Sequence, residues 1–576
     1  MTRIAAAIGC ALVLAASAGE QSPTTPQPTR VPPRDPTATT MPSTGDGRVR
    51  GRVVYADSSM PMRLAQVTLT GDQNIRRMVT TDSEGRYEFS DLPAGTVTVS
   101  AGKPGFLTLQ YGQRRPFETG RRVTLTAAQT VGQIDFALPR ASVITGRITD
   151  RRGDPAIGAD IVIERYQYSS DGQRRLNRAA GVSTNDLGEF RAFGLTPGEY
   201  IVSANLRARP SLAAAVGQPF TAPVEGNLQT YNPGTPNVGD AQPVLLALGE
   251  EASVAFAIVT GSMSTISGTV LDSLGRPAAG ASLMLVVSAG SSRSGRGSGS
   301  VAADGTFSIP GVPPGEHFIQ ARLAPHTDRP GAPENANVPV SVSGCSVSGM
   351  QIVTAPAATL SGTVMWDGTA PRTGNAATSP LRIRSSPADG RPALVGLVGV
   401  QDAAADGRVG SDNSFRLAGV LGTVRLDVDG VPPGWMVRSI TAGTIDLLNG
   451  GIDAAALDGN APVRVVLTDK VTELSGAVRN ENGQTATDWV VVVLPAERVD
   501  PDIASRYVRS LRPDQRNEFR VRGLPPGQYV AAAVQALEDG AHWDPAFQAT
   551  LRNTTSSRRF TLAEGQSLAL TLDRLP

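Results

Sequence analysis

Apolar and polar residues alternate along this chain in short runs, and one run comes back five times. Apolar residues two positions either side of a glycine make its signature: Val49, Gly51 and Val53; Ile144, Gly146 and Ile148; Ile266, Gly268 and Val270; Leu360, Gly362 and Val364; Leu474, Gly476 and Val478. A period of two is that of a strand with one buried face. The glycine at its centre leaves room for another backbone or a large neighbour to approach. Successive copies lie about a hundred residues apart, the size of whole domains rather than of short solenoid repeats.

A second pattern follows inside each copy. Gly85, Gly188, Gly305, Asn413 and Asn517 occupy one position, with an aromatic residue two places later at Tyr87, Phe190, Phe307, Phe415 and Phe519. Glycine and asparagine best tolerate positive φ, so their exchange predicts a left-handed residue reversing a hairpin. The aromatic then falls on the inward strand face. Further along come Gly95, Gly198, Gly315, Gly422 and Gly527, mostly after proline, a pairing that suits a type II turn. A strand follows each time, as at Tyr200 to Val202 and from Tyr529 onward. Short strands separated by turns every ten residues or so predict an all-β chain: a tandem array of about five antiparallel Greek-key-type β-sandwiches.

Together the glycine-centred opener, the hairpin with its aromatic and the Pro-Gly turn resemble the carboxypeptidase regulatory-like domain. That family has a transthyretin-like (prealbumin-like) sandwich and belongs to a carbohydrate-binding-like group. The resemblance implies an accessory module rather than a catalytic one, and the layout is similar to multidomain exported bacterial proteins carrying this domain. It divides the chain into modules at residues 48–139, 140–260, 261–355, 356–470 and 471–576. The fourth departs furthest, with Asn413 in the turn and no proline before Gly422.

The first residues read differently. Arg3, an apolar stretch to about Ala15 and then Ala16, Ser17 and Ala18 form a signal peptide over residues 1–18, with cleavage near Ala18 and export beyond the cytoplasm. Residues 19–47 are rich in Pro, Thr and Ser and predict a disordered linker. No later run of 18 apolar residues predicts a transmembrane helix. With 62 glycines and 43 prolines, a helical bundle is excluded. A formal charge of +1 gives no basic surplus for nucleic acid.

Chemistry is thinly supplied. Three histidines, His317, His326 and His542, form no H-E-x-x-H or related zinc pattern. There is no G-x-S-x-G, no phosphate loop and no EF-hand loop. His317 stands where sister modules carry Tyr200 and Tyr529, which points to packing. Cys345, the one cysteine left after cleavage, reads as a small core hydrophobe. Residues 288–300, nearly all Ser, Gly and Arg, read as a flexible loop. Arg152, Gly153 and Asp154 mark a hairpin turn. Lys103 and Lys470, the only lysines, are too few for an isopeptide crosslink in every module.

Sugar recognition is the remaining candidate, because rings stack on the C–H faces of sugars. The loop aromatics for that role are Tyr111, Tyr231, Trp366, Trp435 and Trp543, with Tyr166 and Tyr168 behind them. The sequence thus predicts a non-catalytic exported scaffold for binding or adhesion, without cofactor or metal, meeting a polysaccharide or a cell-envelope protein. The alternatives are an accessory subunit for a separately encoded peptidase or glycosidase, and a hydrolase.

Overall fold

A computed structural model describes residues 45–573, except 72–74, 114, 117, 207–223, 290–291, 325–332, 372–379, 389–405, 458–461, 480–488 and 536. The predicted signal peptide, nearly all of the linker, and His326 lie outside the described residues. None of the described helices is long and apolar enough to cross a membrane.

Each glycine-centred run is a strand: Gly47–Tyr55, Ser142–Thr149, Thr260–Leu271, Ala358–Asp367 and Glu473–Arg479. Each sits mid-sheet. On one side it pairs antiparallel with the strand after the left-handed turn, in a register that sets the glycine opposite the aromatic: Gly51 with Tyr87, Gly146 with Phe190, Gly268 with Phe307, Gly362 with Phe415 and Gly476 with Phe519. On the other side it pairs parallel with the last main strand of its module, such as Glu251–Ala257 or Ser567–Asp573. That parallel pair stands within sheets that are otherwise antiparallel, as expected. The last strand returns across the sandwich rather than through a hairpin, so no tight turn dictates its direction.

The glycine's necessity is now geometric. A Cβ on Gly268 or Gly476 would lie 1.8 Å from the carbonyl oxygen of Met350 or Leu570, and one on Gly146 would meet Val254 O at 2.3 Å and the Phe190 ring at 2.6 Å. Both neighbours the sequence allowed for, a backbone and a large ring, are there. The hairpin residues are left-handed as expected, with φ from 73° at Gly85 to 85° at Gly305, and 62° at Asn413 and Asn517. The later glycines depart from type II geometry. All five keep the positive φ expected of them, but at Gly95, Gly198, Gly315 and Gly527 it is 139° to 159°, wider than a type II turn, against 66° at Gly422.

A second sheet closes each sandwich over its own apolar core. The cores gather residues between Val49 and Ala141, Ile144 and Ile258, Ile266 and Ile352, Ala358 and Leu467, and Leu474 and Leu572. In the fourth module the two sheets run together as one nine-stranded path. Residues 288–289 and 292–300 are not a loop: they belong to the paired antiparallel strands Ser282–Ala289 and Ser292–Ser300. Cys345 is exposed rather than in the core.

The fifth module carries a second core. Val490–Pro495 is buried along its whole length, and Gly527–Val534 from Tyr529 onward. Val490, Val492, Leu494, Val530 and Ala532 face away from the sandwich, where Ala504, Val508 and Leu551 cover them. Two short helices, Ala504–Tyr507 and Pro545–Asn553, supply that cover, the second capped by the Asp544 carboxylate accepting from Ala546 N–H.

Candidate functional site: module junctions and aromatic faces

Apart from Trp366 and Trp435, which meet each other, the loop aromatics do not converge. Tyr231 is 3% exposed and Trp435 6%, so neither has a free ring face for a sugar. Burial, with Glu164 nearby, pushes the Tyr231 hydroxyl well above its ordinary range. Trp435 meets half-buried Trp366 edge-on, with ring centroids 4.8 Å apart. Both indole N–H groups are committed, Trp366 to Asn413 Oδ1 at 2.9 Å and Trp435 to the Pro371 carbonyl at 3.4 Å. Tyr111 is half-buried, its ring edge-on to Phe136 at 6.4 Å. Trp543 packs against the second core of module five and beside His542 at 4.6 Å. Tyr166 is more open, with Arg174 over its ring at 4.3 Å.

His317 does pack. It is 2% exposed and its Nε2 pairs with the Pro313 carbonyl at 2.8 Å. Tyr200 and Tyr529 donate from their hydroxyls to the carbonyls of Thr196 and Pro525, at 2.7 and 2.6 Å. All three thus reach the carbonyl four residues back, so an imidazole replaces a phenol in one motif.

What sequence reasoning missed is that the fifth module folds back onto the first. Arg512, 5% exposed, donates to Gly112 O at 2.6 Å and to the 8%-exposed Glu118 Oε2 at 3.3 Å. Arg121 answers from module one, donating to Pro513 O at 3.2 Å, to Asn517 Oδ1 at 2.8 Å and to Asp514 O. Gln515 exchanges two bonds with the Thr124 backbone, at 3.0 and 2.7 Å. Charge-assisted bonds to backbone carbonyls, held out of water, have fixed geometry and are costly to leave unmade. Asn517 is part of this clasp, so its amide does a job glycine could not while still accepting positive φ.

Module five also meets module two through Arg165 and Glu538 at 3.5 Å, and module four through Arg425 and Asp502 at 3.3 Å. Where modules one, two and five join lies a cavity of about 450 Å³, lined among others by Gln110, Gln113, Arg165, Gln167, Asn177 and Asp539. Among the described residues no cluster of His, Cys, Asp or Glu has the arrangement of a metal site. Most turn carboxylates are spent locally: Asp272 accepts from the backbone of Leu274 and Arg276 and pairs with the Arg276 side chain, which together outweigh burial and hold its carboxyl below the usual range.

The fold and its junctions define a class: an array of β-sandwiches. Residues 48–139, the first module, match the model of the family described as the carboxypeptidase regulatory-like domain. Among solved structures the chain is similar to the TIE protein of Bacillus anthracis, at 11% identity over 54% of this chain and 51% of that one, with a TM-score of 0.15. It is likewise similar to GBS52, the minor pilin of Streptococcus agalactiae, at 9% identity over 37% of this chain and 95% of that one, TM-score 0.21. Two B repeats of the collagen binding protein of Staphylococcus aureus align at 12% identity over 73% of this chain and 98% of that one, TM-score 0.13. Likeness at this level carries no function across. No curated protein matches.

Proposed function

We propose that this chain is a non-catalytic exported scaffold whose sandwich modules are locked together to hold binding faces in fixed relation. The clasp carries the reading: module one and module five are joined by Arg512, Glu118, Arg121 and Gln515, although nearly 400 residues separate them in sequence. A simple spacer gains reach from staying extended, and contacts that fold the last module back onto the first remove that reach. A platform gains from them, because interfaces between domains otherwise leave relative motion as the default. Export is supported by the charged, apolar and Ala-x-Ala segments at residues 1–18.

Fractionation and protease shaving of intact cells test the location. The expected result is a chain outside the cytoplasm whose N-terminus lies near Gly19. Recovery from the cytosol with Met1 retained would contradict it.

A further inference from the structure

The outward face of the opener sheet in module five forms a trough of about 830 Å³ walled on one side by module one. Its floor follows from strand register: Ser475 lies between Arg520 and Ala569, and Ala477 between Glu518 and Thr571. Small side chains on two neighbouring strands keep that floor low and open to solvent. Arg520 and Arg522 rise beside it, their side chains 61% and 62% exposed. Arg122 and Thr124 of module one, with Arg516, form the other rim. Arg122 and Arg516 are exposed. With Arg512 buried in its pair with Glu118, four exposed arginines line the trough against the two carboxylates of Asp514 and Glu518, in a chain whose net charge is only +1.

One contact shows what these guanidinium groups hold. Glu473 sits between Arg520 Nε at 3.2 Å and Arg522 Nε at 2.7 Å. Two arginines share one carboxylate, so positive charge is left over. The same face of module two is also a depression, of about 610 Å³, with Thr145, Arg147, Arg191, Ser253 and Ala255 among its lining.

We infer that the trough of module five binds a carboxylate-bearing polysaccharide, a polyuronate, laid along its floor. Planar guanidinium forks match carboxylates. Thr96, Thr124, Ser475 and Thr571 supply hydroxyls for the sugar ring between carboxylates. The low floor admits an extended chain, and the lining offers no exposed aromatic ring, so charge rather than stacking selects the ligand. The inference rests on the scaffold reading for where the ligand is met, while its chemistry is tested on purified protein alone.

Binding of the mature chain to immobilised polygalacturonate is the experiment, with dextran and polyglutamate as competing probes. The wild type should be retained at low salt and released as salt screens the charges. Replacing Arg122 and Arg516 by serine should weaken binding about tenfold or more, since charge-assisted bonds are among the strong ones. Glu473→Gln, which keeps the side-chain shape, removes the competing carboxylate and should tighten binding several-fold. Unchanged retention of the arginine variant, no gain from Glu473→Gln, or equal binding of dextran would overturn the proposal. Preference for polyglutamate would overturn the glycan assignment. None of these results bears on cell-surface location, which shaving tests separately.

Discussion

Modules three and five are built on one plan and differ in what surrounds it. Both set a glycine opposite an aromatic in the strand register, Gly268 with Phe307 and Gly476 with Phe519. Both tie a side chain back to the carbonyl four residues earlier, through His317 in one and Tyr529 in the other. In module three the strand Gly315–Leu323 keeps partly exposed positions at Phe318 and Arg322. In module five the equivalent Gly527–Val534 is buried at every position from Tyr529, because two helices cover its other face. The same module grips module one through Arg512. The repeated pattern therefore builds the sandwich, and departures from alternation mark the module that makes additional contacts.

Perturbing the two modules in parallel separates these contributions. Arg512→Ala takes the guanidinium away from buried Glu118 and from the Gly112 carbonyl and should cost about 3–5 kcal/mol. No substitution of an exposed arginine in module three should approach that in calorimetry. Gly476→Ala and Gly268→Ala should each cost about 1–3 kcal/mol by overpacking, and should do so equally, since both Cβ atoms would meet a carbonyl at 1.8 Å. A much smaller loss in one module would break the shared plan there. Tyr529→Phe and His317→Phe each leave a backbone carbonyl without its donor and should cost about 1 kcal/mol by the same measurement.

The smallest effect is a pH dependence confined to module five. Burial holds the His542 imidazole below its ordinary pKa, with Asp539 opposing only in part. The unfolded chain then takes up the proton first as pH falls, so this residue's contribution is intact at neutral pH and is lost below about 6.5. Melting curves between pH 7.5 and 5.5, about one unit either side of a free imidazole, should show a decline that His542→Gln reduces. An unchanged decline would show that other groups cause it.

Much of the core was legible because strand alternation and turn chemistry are local. The five opener glycines and the exchange of Gly305 for Asn413 or Asn517 identified close approaches and left-handed turns before any contact was known. The aromatics were not legible in the same way. Trp435 and Tyr231 sit in loop-like text, yet tertiary packing buries both, and sequence does not distinguish a ring under a loop from one on it. The Ser, Gly and Arg residues of 292–300 have weak strand preference, but the apolar strand Ser282–Ala289 beside them provides a partner. The unbroken apolar run from Val490 to Leu494 did carry a signal of two-sided burial. The clasp carried none, since Arg512 and Glu118 are brought together only by the arrangement of whole modules.

That clasp is the claim on which the scaffold reading stands, and a double-mutant cycle tests it most directly. Arg512→Met and Glu118→Gln, alone and combined, would be compared by the melting of the purified chain. If modules one and five are locked together, the second substitution should cost far less once the first is present, with a coupling of about 1–3 kcal/mol. Strictly additive losses would mean that the two side chains do not meet in solution and that the array is open.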